Sequence, residues 1–231
     1  MQVVERVFLV GRGGWGGLEP LSAQGDCNVY LIDGGFELAL VDVGVGPDCD
    51  QVRRNVVAAG FDPRRITKVL LTHTHWDHAG ALPGLRRFAR RALVCAHPAA
   101  AEAVREGHPY LGAGPAAKRL GAARARRIFH IDHTVREGDL IRVGEATLRV
   151  LELPGHTPDS VGWLLTAGGK KVLFSGDAGR FGLPILRDPA EPLPECDYLI
   201  TECTYADRRH ENPIDMKDRL CLLYTSPSPR D

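Results

Sequence analysis

The stretch LLTHTHWDHAG, residues 70–80, places His73, His75, Asp77 and His78 within six positions. Imidazole nitrogens and carboxylate oxygens are the donors that zinc and similar borderline cations take. A strand turns successive side chains to opposite faces. His73 and His75, at the end of the apolar run TKVLLT (67–72), therefore point to one side together, and Thr74 points away. They make two-thirds of a three-ligand site. Asp77 and His78 fall on the turn that follows, within reach of a second ion. A hydrogen-bonded polar turn would account for one histidine. Three with an aspartate at H-x-H-x-D-H spacing point instead to a metal centre. Trp76, between ligands, is expected to pack that turn.

The elements that must position these side chains are short apolar runs between turn signals. Residues 3–9, 27–33, 36–43, 67–72 and 92–97 read as strands. DCDQVRRNVVAAG (48–60) reads as a helix with Val52, Val56 and Val57 on one face and Gly60 as its stop. A second helix is expected over 98–106. DLIRV, ATLRVLEL, VGWLLTA, KKVLFSG and DYLITE read as further strands. Strands dominate both halves with helices interspersed. That pattern suggests two sheets with helices outside, an αββα sandwich.

Composition narrows the class. The chain has 231 residues, 44% hydrophobic and 25% charged, as in ordinary globular proteins. Formal net charge is zero, so there is no global field for nucleic acid or a membrane. No window reaches the length of a membrane span. The opening MQVVERVFLVG does not read as a signal peptide. Six scattered cysteines without a CxxC suggest reduced thiols in a cytoplasmic protein. Residues 86–127 hold ten Arg or Lys against two acids. A solvated helical face is the reading preferred there over a phosphate-contacting surface.

Four motifs in order resemble the metallo-β-lactamase superfamily: VDVG at 41–44, THTHWDH at 72–78, LPGHTPDSVG at 153–162 and FSGDA at 174–178. The resemblance runs from about residue 27 to 210. It implies the αββα sandwich with a metal site on one edge of the sheets, which agrees with the strand count. It also implies ligands. His73, His75 and His156 would hold one ion, Asp77 and His78 the other, and Asp177 would bridge them. Asp42 would be the aspartate of the family's early Asp-x-Gly turn. The implied cofactors are two zinc ions, with manganese or iron also compatible. The implied chemistry is hydrolysis by metal-activated water, with Asp77 also able to accept the water's proton. The family has one more histidine on the second metal, and no candidate stands in the expected context before Leu220.

Residues 179–210 resemble the β-CASP branch, which cleaves RNA or DNA. Gly179-Arg180, Pro184-Ile185-Leu186, Asp188-Pro189 and Glu202-Cys203-Thr204-Tyr205 occupy that branch's pattern, with Arg208 and His210 following. Cys203 replaces the usual serine. Glu202 is thereby implied as a residue supporting the active site, and His210 as its companion. The context of His156 instead resembles hydroxyacylglutathione hydrolases and lactonases. The expectation is thus a nuclease-like phosphodiesterase, with a thioester or ester hydrolase as runner-up and a metal-free partner subunit as a non-enzymatic alternative. The expected partner is a nucleic-acid or small-molecule substrate, with no membrane.

GRGGWG at 11–16 matches a dinucleotide-binding glycine pattern, but Pro20 follows where a helix is required. It reads as a loop, either beside the cleft with Trp15 a candidate for touching substrate or, equally well, simply on the surface. His97, His108, His130 and His133 are given no role. The last eleven residues, CLLYTSPSPRD, back-translate to a string that looks like a sequencing-library transposase adapter. Residues 221–231 are therefore expected to be a read-through tail. Residues 1–220 are expected to be one metallo-β-lactamase-type domain, truncated at its C-terminus.

Overall fold

The structure is a computed structural model that describes residues 1–14, 17–45, 49–106, 129–178, 188 and 192–203. In chain order the elements are β1 (Gln2–Val4), β2 (Val7–Gly11), β3 (Val29–Asp33), β4 (Leu38–Val41), α1 (Asp50–Ala58), β5 (Ile66–Leu70), α2 (Trp76–Ala79), α3 (Leu82–Leu85), β6 (Leu93–Ala96), α4 (Pro98–Glu106), β7 (His133–Thr134), β8 (Leu140–Val143), β9 (Ala146–Glu152), β10 (Val161–Ala167), β11 (Lys170–Phe174) and β12 (Tyr198–Ile200). One sheet has the order β1-β2-β3-β4-β5-β6-β7, the other β12-β11-β10-β9-β8.

The first sheet is antiparallel up to β4 and parallel from β4 to β7. Its parallel strands are joined by helical crossovers, as parallel pairing requires. All four residues of β4 are buried, as expected for a strand covered on both faces. Their alternation sorts them. Leu38 and Leu40 join the core under the helices, with Val52, Val56, Leu82, Leu85 and Ala100. Ala39 and Val41 join the core between the sheets, with Leu148, Val150, Trp163, Leu165 and Phe174. On the far face of the second sheet Leu151, Leu153, Leu164 and Leu173 form a third cluster with Cys196 packed against it. Among the described residues no helix lies on that face.

Two expectations need correction. Residues 3–9 are not one strand: the chain turns at Glu5–Arg6, Arg6 has φ 64°, and β1 folds back on β2. The charged pair inside the apolar run marked that turn. In α1, Val52 and Val56 are buried but Val57 is 54% exposed. At about 100° per residue Val57 lies roughly 140° round the helix from Val52, so the two do not share a face.

The parallel strands aim their C-terminal ends at one edge. There β4 leads to Asp42 and β5 to the 72–78 stretch, while the β9–β10 loop carries His156 and β11 leads to Asp177. The sheets are joined at this edge by Val161 N–H donating to Thr72 O at 2.8 Å.

Candidate metal centre

Regular pairing of β5 ends at Leu70, so His73 and His75 lie beyond the strand that was expected to carry them. The backbone at His75 is extended, with φ −62° and ψ 153°, and the alternation of side chains survives. His73 and His75 converge, and Thr74 turns the other way into the protein, donating to Asp159 Oδ2 at 2.8 Å. Asp77 and His78 then sit on α2, a single helical turn. Trp76 packs against the helix-side core and meets Phe129 edge-on at 6.4 Å, as expected of a residue that packs the turn.

Three ring nitrogens meet at one point. His75 Nδ1 lies 3.0 Å from His73 Nε2 and 2.9 Å from His156 Nε2. A ring nitrogen carries either one lone pair or one hydrogen. It cannot satisfy two others at once, whereas a cation can accept all three lone pairs. Burial, then the charge of His78 and the other imidazoles, holds the His73 pKa well below its ordinary value. Burial and His156 do the same, less strongly, for His75. Both are thus kept neutral, the ligand form.

Beside this set, Asp177 Oδ2 lies 3.4 Å from His156 Nε2 and 4.0 Å from His73 Nε2. Its other oxygen lies 3.3 Å from His78 Nε2, and Asp77 Oδ2 lies 3.6 Å from the same nitrogen. Asp177 therefore stands between the two groups. Burial opposes its charge, but the His78 contact and the nearby imidazoles outweigh that and lower its pKa. Gly176, with φ 59°, lets the turn approach: a Cβ there would come within 2.6 Å of the Thr72 side chain. His73, His78 and Asp177 form one group that could hold an ion; His73, His75 and His156 form another.

The other face of His78 is built by Asp42. Asp42 is 3% exposed with φ 58°. Its carboxylate accepts from Thr72 N–H and Thr72 Oγ1, each at 2.8 Å, and lies 2.8 Å from His78 Nδ1. Burial alone would lower the His78 pKa. The Asp42 and Asp177 carboxylates outweigh it and raise that pKa well above its usual value. Cys27 completes a further cluster with Asp42 and His78. Burial pushes its thiol up to about 12.

Residues 23–216 match the metallo-beta-lactamase superfamily. The chain belongs to that superfamily. It is 32% identical over 192 residues to a ribonuclease of Thermus thermophilus, covering 79% of this chain and 42% of the relative. It is 30% identical over 188 residues to a hydroxyacylglutathione hydrolase of Cupriavidus taiwanensis, covering 79% of this chain and 61% of the relative. The chain thus spans between two-fifths and about three-fifths of these relatives. A metallo-beta-lactamase of Cronobacter sakazakii superposes with a TM-score of 0.62 at 25% identity, covering 80% of this chain and 66% of the other. The two face-to-face sheets, with helices outside the first, fit the superfamily's sandwich.

All six residues named as ligands, His73, His75, Asp77, His78, His156 and Asp177, come together at one sheet edge of this metallo-beta-lactamase fold. Glu202 is exposed, two residues past β12. That strand runs parallel to β11, and Ser175 N–H donates to Ile200 O at 3.0 Å, so Glu202 leaves the sheet at the edge that carries Asp177. His210, Trp15, His108 and most of the β-CASP-like stretch lie outside the described residues. His97 faces Glu152 at 3.1 Å, and His130 faces Asp132 at 3.6 Å. Sequence reasoning missed Thr72, Thr74, Asp159 and Cys27. Thr74 and Asp159 stand 85 positions apart, and no local pattern links them.

Proposed function

We propose that this chain is a metal-dependent hydrolase that cleaves phosphodiesters in nucleic acid. The observation that carries the hydrolytic reading is the convergence of His73, His75 and His156 beside Asp177, with His78 and Asp77 on its far side. His73, His75 and His156 would hold one ion; Asp77 and His78 would hold the other, with Asp177 between them. Zinc suits these donors, and manganese or iron are compatible. Ions held there supply an activated water at neutral pH and polarise the oxygen on which negative charge develops.

The chain's own residues do the rest. Asp42 orients His78 so that Nε2 faces the site. Asp77, 43% exposed at its side chain, is the carboxylate open to solvent and accepts the proton released from water. His156, a third exposed, forms the rim over which substrate enters. Glu202 leaves β12 at the edge that carries Asp177 and would support the site from that side, with His210 proposed as its companion.

The nucleic-acid choice is supported by the likeness to a ribonuclease and by the β-CASP-like pattern at 176–210. A second reading, thioester hydrolysis, is favoured by the LPGHTPDSVG context of His156 and by the likeness to a hydroxyacylglutathione hydrolase. Among the described residues no helix is long and apolar enough to cross a membrane. A cytoplasmic setting is the reading proposed from the scattered cysteines without a CxxC.

The deciding experiment gives the zinc- or manganese-loaded chain an end-labelled RNA and, separately, a hydroxyacylglutathione thioester. Chelator-sensitive cutting of RNA is expected. Thioester hydrolysis without RNA cleavage would replace the first reading with the second.

A further inference from the structure

We propose that the hydrogen bond from Thr74 to Asp159 is a latch that sets the spacing of the three imidazoles, making both residues positioning residues for the ion held there. The inference rests on the metal reading above.

The latch joins the two separate pieces of chain that supply the donors. Thr74 lies between His73 and His75. Asp159 lies three positions after His156. Thr74 Oγ1 donates to Asp159 Oδ2 at 2.8 Å, and the two residues are 2% and 7% exposed. A buried hydrogen bond to a carboxylate is short and directional, and water does not readily replace it.

The loop that carries His156 is pinned internally, so movement at Asp159 is transmitted to His156. Leu153 N–H donates to Ser160 O at 3.0 Å, closing the base of the loop. Thr157 N–H donates to Ser160 Oγ at 3.2 Å, and the Thr157 and Ser160 hydroxyls lie 2.6 Å apart. The base is fixed to the other sheet by Val161 N–H on Thr72 O. Thr74 holds the loop at a second point, and two points fix a rotation that one leaves free.

His156 depends on that restraint more than its partners do. His73 is 1% exposed, and its Nδ1 lies 3.1 Å from Thr72 Oγ1. The His156 side chain is 33% exposed. Its ring meets His73 and His75 edge-on at centroid distances of 4.9 and 4.6 Å, so its contacts are with the donor set itself. Its placement therefore follows the loop.

The test compares the metal-free full chain with T74V, which keeps shape and loses the hydroxyl, and T74S, which keeps the hydroxyl. Zinc affinity is read by competition with a chromophoric chelator, and the thermal melt of each metal-free form is recorded beside it. T74V is expected to bind zinc about 10–100-fold more weakly, the range for partners lying just outside a metal's ligands. T74S is expected to restore affinity to within a few-fold, even where both variants melt lower than the parent. Should T74V not fold, T74A leaves room for a water to reach Asp159 and serves in the same comparison. Zinc binding by T74V equal to the parent, or by T74S as weak as T74V, overturns the latch. A parent chain that binds no zinc overturns the metal reading itself, and the latch with it.

Discussion

Asp42 Oδ2 lies 2.8 Å from His78 Nδ1, and both side chains are almost fully buried. An ionised carboxylate only accepts, so Nδ1 carries hydrogen and Nε2 is the nitrogen turned toward Asp77 and Asp177. The pair therefore fixes which nitrogen of His78 can serve as a ligand. Asp42→Asn keeps the size, and Asn tolerates the left-handed φ of 58° found here. Its amide can present N–H to Nδ1 and favour the wrong tautomer. A fall of about 10–100-fold in affinity for the ion beside Asp177 is expected. Chelator competition on the folded variant measures it, and unchanged affinity would remove Asp42 from the site's design.

Asp177 stands between His156, His73 and His78, at 3.4, 4.0 and 3.3 Å. The His73, His75 and His156 set does not need it to converge. Asp177→Asn should therefore leave one tightly held ion and lose the second. With it goes part of the charge stabilisation, and kcat should drop about 100- to 1000-fold, as when one preorganised stabilising group is removed elsewhere. Metal analysis after dialysis and steady-state rates report the two effects separately. Two ions retained in the variant would refute the bridging role.

The sequence made most strands and the first four candidate ligands legible for a physical reason. Alternation, turn residues and H-x-H-x-D-H spacing are local, and each is read within a few positions. His156 and His75 are 81 positions apart, and only the resemblance of whole motifs brought them together in advance. Contacts that cross between the sheets left no such mark. Nothing in the residues around Asp159 marked its carboxylate as reaching Thr74. Arg6 and Val57 were misread because an apolar run was followed through a reversal in one case and across a helix face in the other.

Glu37 links the two sheets at the end opposite the metal centre. Its Oε2 accepts from Gly144 N–H at 2.9 Å and from Lys68 Nζ at 3.2 Å. The Gly144 bond, then Lys68, lowers its pKa below the ordinary 4.5 despite partial burial. A carboxylate whose folded pKa is depressed stabilises the fold above its unfolded pKa, and loses that contribution as pH falls through the folded value. The deficit of Glu37→Gln should be about 1–3 kcal/mol near neutrality. It should shrink once pH drops below 4.5. Urea unfolding of both proteins across acidic pH tests this, and a deficit that grows with acidity would contradict the linkage.

Trp163 is fully buried between the sheets, and its indole Nε1–H donates to Leu71 O at 3.1 Å. Leu71 lies two positions before His73, so the bond reaches toward the metal centre from the core. It is not what holds His73, because Leu71 N–H also donates to Cys95 O at 3.0 Å and keeps the chain in line with β6. Trp163→Phe should therefore cost stability without loosening the metal. Loss of the donor leaves a buried carbonyl short of a partner, about 1–3 kcal/mol, and the smaller ring adds a cavity cost. Trp163→Ala should cost about 3–5 kcal/mol. Denaturant unfolding and zinc titration of the same Trp163→Phe sample separate the two properties. A tenfold loss of zinc affinity at full stability would mean that the core bond, rather than the strand pairing, aligns His73.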